Sequence, residues 1–200
     1  MPATKTLTDN RNNTLVRVNH TDHRIAEPQG EIFYVCSSHA DADDIAGAGL
    51  RPDYPFATIE YAVNQCTAGN QDVIYVLPGH TETVSEAGGL DFDKAGMTVI
   101  GVGTGDQRPL INFTTSTAAD ADVDADDITL VNLLFQCSID GQLIMLDVNK
   151  ADARILNCEF KEGTSAQPVD VVDITGSGAN QCDRVKIQGC RFYFPTAGPA

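Results

Sequence analysis

The densest concentration of potential ligands in the chain is the run Asp120-x-Asp122-x-Asp124-x-Asp126-Asp127. In an extended strand alternate side chains share a face, so Asp120, Asp122, Asp124 and Asp126 would turn four carboxylates to one side. Ca2+, a hard cation that takes about 6–8 oxygen ligands, is the ion such a row would suit. The run lacks the central glycine and closing glutamate of an EF-hand loop, which excludes that motif. Its alternating Ala and Asp equally describe a solvated loop. Asp41, Asp43 and Asp44 form a smaller cluster with the same two readings. Beyond a calcium ion the sequence calls for no cofactor.

The remaining reactive residues make no recognisable constellation. His20 and His23 are three apart in a polar segment, without the further ligands a metal pair needs. His80 follows Pro78-Gly79 and reads as a turn residue. Gly101-x-Gly103-x-Gly105 has the look of a phosphate loop, but no helix is expected after it, so the anion-binding geometry is missing and a bend is the better reading. Cysteines stand at 36, 66, 137, 158, 182 and 190 with no CxxC pair, which excludes zinc-knuckle spacing. The expectation is free, mostly buried thiols acting as small core residues. No Ser-His-Asp or Cys-His set can be assembled from spacing.

The scaffold that must position these residues is bounded by composition. The chain has 200 residues, 42% of them apolar, enough for one domain with a core. Thirteen Lys and Arg against 28 Asp and Glu give a formal charge of −15, a surface that repels phosphate backbones and excludes nucleic-acid binding through a basic patch. No apolar stretch is long enough for a membrane-spanning helix, and the first residues show no apolar core of a secretion signal.

Residues 1–30 are polar, with a strand candidate at Thr14-Leu15-Val16-Arg17-Val18, and are expected to form an arm distinct from a domain at 31–200. Glu31 to Cys36 and Val73 to Leu77 read as strands. Between them, Ile59, Ala62, Val63 and Cys66 fall on one helical stripe, predicting a helix near residues 57–67. From residue 90 helical periodicity disappears and a repeat emerges. Segments beginning at Met97, Ile128, Ala153 and Val185 align, at spacings of 31, 25 and 32 residues. Further strand candidates lie between them, near 110–113, 143–146 and 169–174.

Within each repeat the first and third positions are apolar and the fifth holds Gly101, Asn132, Asn157 or Gly189, residue types that tolerate left-handed backbone. One such residue bends the chain between two short strands. A bend recurring every coil predicts a solenoid, each strand stacked on its equivalent in the next coil. Stacking sets Cys158 against Cys190 and Phe160 against Phe192 inside, and Glu159 against Arg191 outside; the distance would allow a disulfide between the two cysteines, and an internal thiol stack is the preferred expectation.

Two stretches carry a resemblance to a known family. One is Tyr34-Val35, Asp41-Ala42-Asp43-Asp44, Gly49, Pro55-Phe56-Ala57-Thr58-Ile59, Ala62-Val63 and Asp72-Val73-Ile74-Tyr75-Val76-Leu77-Pro78-Gly79. The other is the coil Ala153-Arg154-Ile155-Leu156-Asn157-Cys158-Glu159-Phe160. Over residues 33–194 the chain resembles the right-handed parallel β-helix, or pectin-lyase-like, superfamily. The resemblance implies an all-β solenoid of four to five coils, closed at its N-terminal end by the helix.

The superfamily hosts lyases, hydrolases and non-enzymatic virion proteins, so its fold does not fix a function. An acidic chain with a polar arm most resembles bacteriophage structural proteins: capsid decorations, fibres or tailspikes. The expectation is therefore a non-enzymatic virion component, forming a homotrimer or binding other virion proteins through the arm and the last coil. The arm's few large apolar residues, Leu7, Leu15, Val16, Val18 and Ile25, would not repay the entropy of ordering it alone. No obvious capping element follows the last coil, so the expectation is that a neighbouring subunit covers its edge or that the sequence is part of a longer chain. The alternative is a polysaccharide lyase or hydrolase, or a glycan-binding adhesin, with a surface polysaccharide as partner. Family lyases use calcium-binding carboxylates and an Arg base on one sheet; the hydrolases use paired carboxylates about 5–10 Å apart. The exposed residues available are Asp147, Asp170, Asp173, Glu159, Arg154 and Arg191. Glu159, Asp170 and Asp173 are the carboxylates such a reaction would call on, and the bland reading of all of them is solvated β-helix surface.

Overall fold

In a computed structural model the chain winds into a parallel β-helix. The structure describes residues 7–8, 14–15, 30–163, 166–176 and 182–194. Three parallel sheets form its sides. The first stacks Ile32–Val35, Val73–Val76, Thr98–Gly101, Thr129–Val131, Arg154–Leu156 and Lys186–Gln188. The second stacks Thr81–Val84, Leu110–Phe113, Leu134–Cys137, Glu159–Glu162 and Arg191–Tyr193. The third stacks Leu90–Asp91, Ala121–Val123, Gln142–Val148 and Pro168–Asp173. Four three-sided coils and a fifth of two strands result, as the repeat predicts. Of the expected arm, Leu7–Thr8 pairs antiparallel with Thr14–Leu15; the rest of it, with His20 and His23, and the tail from residue 195 lie outside the described residues.

The register follows the expected alignment. Leu130 stands beside Val99 and Ile155, Glu159 beside Arg191, and Phe160 beside Phe192. The bend residues Asn132, Asn157 and Gly189 have φ of 56°, 54° and 69°, in the left-handed region. Gly101 departs from this expectation and has no positive φ; Gly103 takes that conformation instead, at 117°. Gly101 is required for a different reason: a Cβ there would run into the Asn132 carbonyl oxygen of the next coil. Asn132 closes this crossing by donating through Nδ2 to the Gly101 and Gly103 carbonyl oxygens, at 2.7 and 3.0 Å. After the glycines comes one three-residue turn, Gly105–Gln107, too short for an anion-binding helix end.

The core is a set of columns running through the coils. On the second sheet the inward positions hold Ile111, Phe135 and Phe160, each fully buried. The rings of Phe113, Phe135, Phe160 and Phe192 stack at 6.4, 4.8 and 5.1 Å. For Phe135, Phe160 and Phe192 parallel register makes the stacking automatic, because the same side chain recurs about 4.8 Å further on, whereas Phe113 reaches Phe135 from the neighbouring inward row, beside Cys137. Phe192, on the last coil, is 52% exposed.

The N-terminal end is closed by α1 (Ile59–Gln65), which buries Ile59, Ala62 and Val63. Thr58 caps it, its Oγ1 accepting from the Tyr61 N–H at 3.1 Å. Asp44 braces the cap, accepting from the Ala57 N–H and the Thr58 hydroxyl, both at 2.8 Å. Two buried carboxylates finish the joint. Glu82 occupies the inward column that aromatic rings fill further up, and accepts from the Ile59 N–H at 2.8 Å and from His80 Nε2 at 3.0 Å. His80 Nδ1 accepts the Ser37 N–H at 2.9 Å, so the proton lies on Nε2. Asp72 takes three donors, the Glu31 and Thr67 N–H groups and Asn70 Nδ2, each at 2.7 Å.

Candidate functional site

The outward face of the second sheet carries a groove of about 450 Å3. Its floor is one register row, Thr81, Leu110, Leu134, Glu159 and Arg191, each from a successive coil. Lys161 rises from the neighbouring outward row, and Asp106 and Arg108 come from the loop that precedes Leu110. Arg108 Nη1 donates to Glu159 Oε2 at 3.1 Å, and Arg191 approaches the same oxygen at 3.9 Å. The Arg108 side chain is 17% exposed, and its Nε is buried without a hydrogen-bond partner among the described residues. Three cations thus meet one principal carboxylate, in a chain whose formal charge is −15. A groove of this kind can hold an anionic group against guanidinium and ammonium donors.

The third sheet carries the opposite charge. Asp91, Asp122, Asp147 and Asp173 stand beside one another in register, one per coil. At strand spacing, four like charges about 4.8 Å apart oppose one another's ionisation. Burial, and then the Asp120, Asp124, Asp147 and Asp91 charges, push Asp122 up to about 7. Burial, reinforced by Asp124, Asp93 and Glu60, raises Asp91 to about 6. Asp147 is raised chiefly by burial, with Asp173 adding to it. One oxygen each of Asp91 and Asp147 is buried with no hydrogen-bond partner among the described residues.

The residues singled out from sequence are distributed rather than gathered. Glu159 lies in the groove of the second sheet, whereas Asp170 and Asp173 lie on the third. Asp170 is exposed and Asp173 ends the aspartate row, so the three carboxylates do not form one acid/base pair. Asp120, Asp122, Asp124 and Asp126 do alternate outward, with Ala121, Val123 and Ala125 buried between them. Three of the four are engaged: Asp120 accepts from the Gly88 N–H at 2.6 Å, Asp124 from Asn149 at 3.0 Å and Asp126 from the Ala151 N–H at 3.0 Å. Among the described residues no three His, Cys, Asp or Glu side chains converge as a metal cage would. Asp44, of the smaller acidic cluster, is committed to the helix cap. Arg154 stacks beside Lys186 and pairs with Asp127.

Sequence reasoning missed Arg108 and Lys161. Arg108 lies 51 residues before its partner Glu159, in a loop outside the repeat, and only the winding of the coil brings them together. Lys161 was within reach, since it follows Glu159 by two and therefore shares its outward face.

The fold defines the class: a parallel β-helix, whose stacked outward rows make long surface grooves. No protein-family model matches the sequence, and no curated protein matches it. Among solved structures the chain is similar to a rhamnogalacturonan lyase, with a TM-score of 0.51 at 15% sequence identity. The match covers 82% of this chain and 51% of that one, so the chain spans about half the length of the lyase. At that identity the likeness is one of fold, a parallel β-helix.

Proposed function

We propose that the protein is a structural component of a bacteriophage virion, a decoration, fibre or spike subunit that assembles with copies of itself. The observation that supports this reading is an apolar row on the outside of the first sheet. Tyr34, Tyr75, Ile100, Val131 and Leu156 stand in register on five successive coils, facing outward and half-buried. The Tyr34 and Tyr75 rings stack at 5.9 Å. A solvated sheet face is ordinarily polar, and five apolar residues at strand spacing make a continuous stripe about 19 Å long. Such a stripe, parallel to the coil axis, suits side-by-side packing of copies around an axis of rotation. The last coil adds a second unsatisfied surface, with Ile187, Phe192 and Tyr193 exposed at 38, 52 and 62%. Sedimentation tests the assembly. The wild-type chain should run as a trimer at micromolar concentration, and Tyr75→Lys with Ile100→Lys should shift it to monomer without loss of β-structure. Mass spectrometry of particles purified from the phage encoding the chain tests the setting: it should be present in fixed proportion to the capsid protein. A monomeric wild type, or particles without the chain, overturns the reading.

The second reading is a glycan-binding or glycan-cleaving module, favoured by the gathering of Arg108, Lys161 and Arg191 in the groove of an acidic protein. An acidic polysaccharide would offer carboxylates to those cations. Titration with polygalacturonate, and ultraviolet absorbance for unsaturated product, separates binding from cleavage. Arg108→Ala should abolish either one, and saturating polymer without heat or absorbance change removes this reading.

A further inference from the structure

We propose that Cys158 and Cys190 form a redox pair, an oxidation site that staples the last coil to the one beneath it. The two residues are equivalent positions of successive coils, each following a left-handed bend residue, Asn157 or Gly189. Each directly precedes a paired position, Glu159 beside Arg191. Stacked strands lie about 4.8 Å apart, inside the range of Cα separations that a disulfide bridges. Bond closure draws the Cβ atoms about 1 Å nearer than that spacing, a movement that the last coil can take up because no described coil lies above it. Cys190 Sγ already reaches the coil that carries Cys158, donating to the Ile155 carbonyl oxygen at 3.3 Å.

The pair is asymmetric in the way a nucleophilic and a resolving thiol are. Cys158 is fully buried, and the neighbouring Cys190 thiol together with burial holds its proton on. Cys190 is only partly buried, and the neighbouring Cys158 thiol lowers it to about 6. Its thiolate is therefore present at neutral pH and reachable from outside. The other cysteines stand apart from this couple: Cys182 donates to the Val148 carbonyl at 2.7 Å, Cys66 to Ala62 at 3.4 Å and Cys137 to Ile139 at 3.0 Å.

The oxidant is a low-molecular-weight disulfide such as oxidised glutathione. The Cys190 thiolate attacks one of its sulfurs, forming a mixed disulfide and releasing one thiolate. Cys158 then gives up its proton and attacks the Cys190 sulfur, releasing the second. Two protein thiols are oxidised and one disulfide is reduced to two thiols. The staple fixes the most exposed coil of the solenoid, the one that offers Phe192 and Tyr193 to a partner.

Folded protein treated with oxidised glutathione tests this. Two of the six thiols should be lost, and trypsin should release peptide 155–161 joined to peptide 187–191. The rate of thiol loss should be half-maximal near pH 6. Amide exchange in residues 182–194 should slow about tenfold on oxidation and recover with dithiothreitol. Cys190→Ser should abolish thiol loss, and Cys158→Ser should stop at the mixed disulfide on Cys190. If the joined peptides do not form, or form no faster than pairs involving Cys182, or if the rate follows an ordinary thiol with its midpoint above pH 8, the proposal fails.

Discussion

The aspartate row on the third sheet makes stability fall as pH rises, against the usual behaviour of an acidic protein. Folded Asp91 and Asp122 hold their protons up to about 6 and about 7, whereas the ordinary carboxyl value is 3.8. Between pH 4 and 7 the folded chain therefore binds protons that the unfolded chain has released. The row's contribution is fully present below pH 4, is lost progressively through that window, and is gone above pH 7. The groups facing the pair are Asp93, Asp120, Asp124, Asp147 and Glu60, and the Lys94 ammonium partly offsets them at Asp91. At about 1.4 kcal/mol per pH unit the two displacements correspond to about 7 kcal/mol. Both carboxyls border solvent and titrate against each other, which reduces the loss to about 3 kcal/mol. Roughly half of that loss falls above pH 5, so with an m-value of about 2 kcal/mol/M the urea midpoint should drop by about 0.8 M from pH 5 to pH 8. Asp152 acts in the opposite sense, held low by its hydrogen bond to Arg184, but loses its contribution only toward acid, outside this interval. Urea unfolding followed by circular dichroism at half-unit steps of pH, in fixed salt, measures the slope. Asp122→Asn, neutral throughout, should remove about half of it. A wild-type midpoint that is level or rises from pH 5 to 8, or an Asp122→Asn protein with the full wild-type decline, refutes the reasoning.

Other outcomes follow from the packing. Phe135→Ala empties the middle of the aromatic column and should cost about 3–5 kcal/mol, whereas Phe192→Ala, at 52% exposure, should cost about 1 kcal/mol or less; equal losses in denaturant titrations would contradict the columnar account. Glu82→Gln leaves the Ile59 N–H and His80 Nε2 competing for one neutral acceptor, and should lower stability by about 1.5–3 kcal/mol, with protection from amide exchange lost first in α1. Gly101→Ala drives a methyl group into the Asn132 carbonyl and should cost about 2 kcal/mol or more. Asn157→Gly, which keeps the left-handed bend, should change the melting temperature by only a few degrees.

Much of the scaffold was legible because a solenoid repeats its own solution. The alternation in 128–135, 153–160 and 185–192, with Asn or Gly at the bend, gave inward and outward faces and the pairing of Glu159 with Arg191. Strands Thr81–Val84 and Leu90–Asp91 were not legible. The first carries Glu82 at an inward position, where its role is set by the helix end and His80 rather than by hydrophobicity. Gly101 followed the repeat in type but not in conformation, because the same residue answers both to a left-handed φ and to a close crossing. Asp122 was visible as part of a run along one strand. Its strongest neighbours across coils, Asp91 and Asp147, needed the repeat spacing to be carried over to the acidic residues.

Because each coil contributes one residue to every outward row, the rod can be lengthened in whole increments. Residues 132–156 form one period, opening and closing just inside successive Asn bends. A tandem copy of that period would extend the rod by about 4.8 Å while repeating Val131-like, Glu159-like and Asp147-like positions along the same three faces. Length and surface chemistry are therefore separable quantities in this molecule. A lineage that needed a longer rod could obtain one by duplication, without redesigning the end that α1 closes.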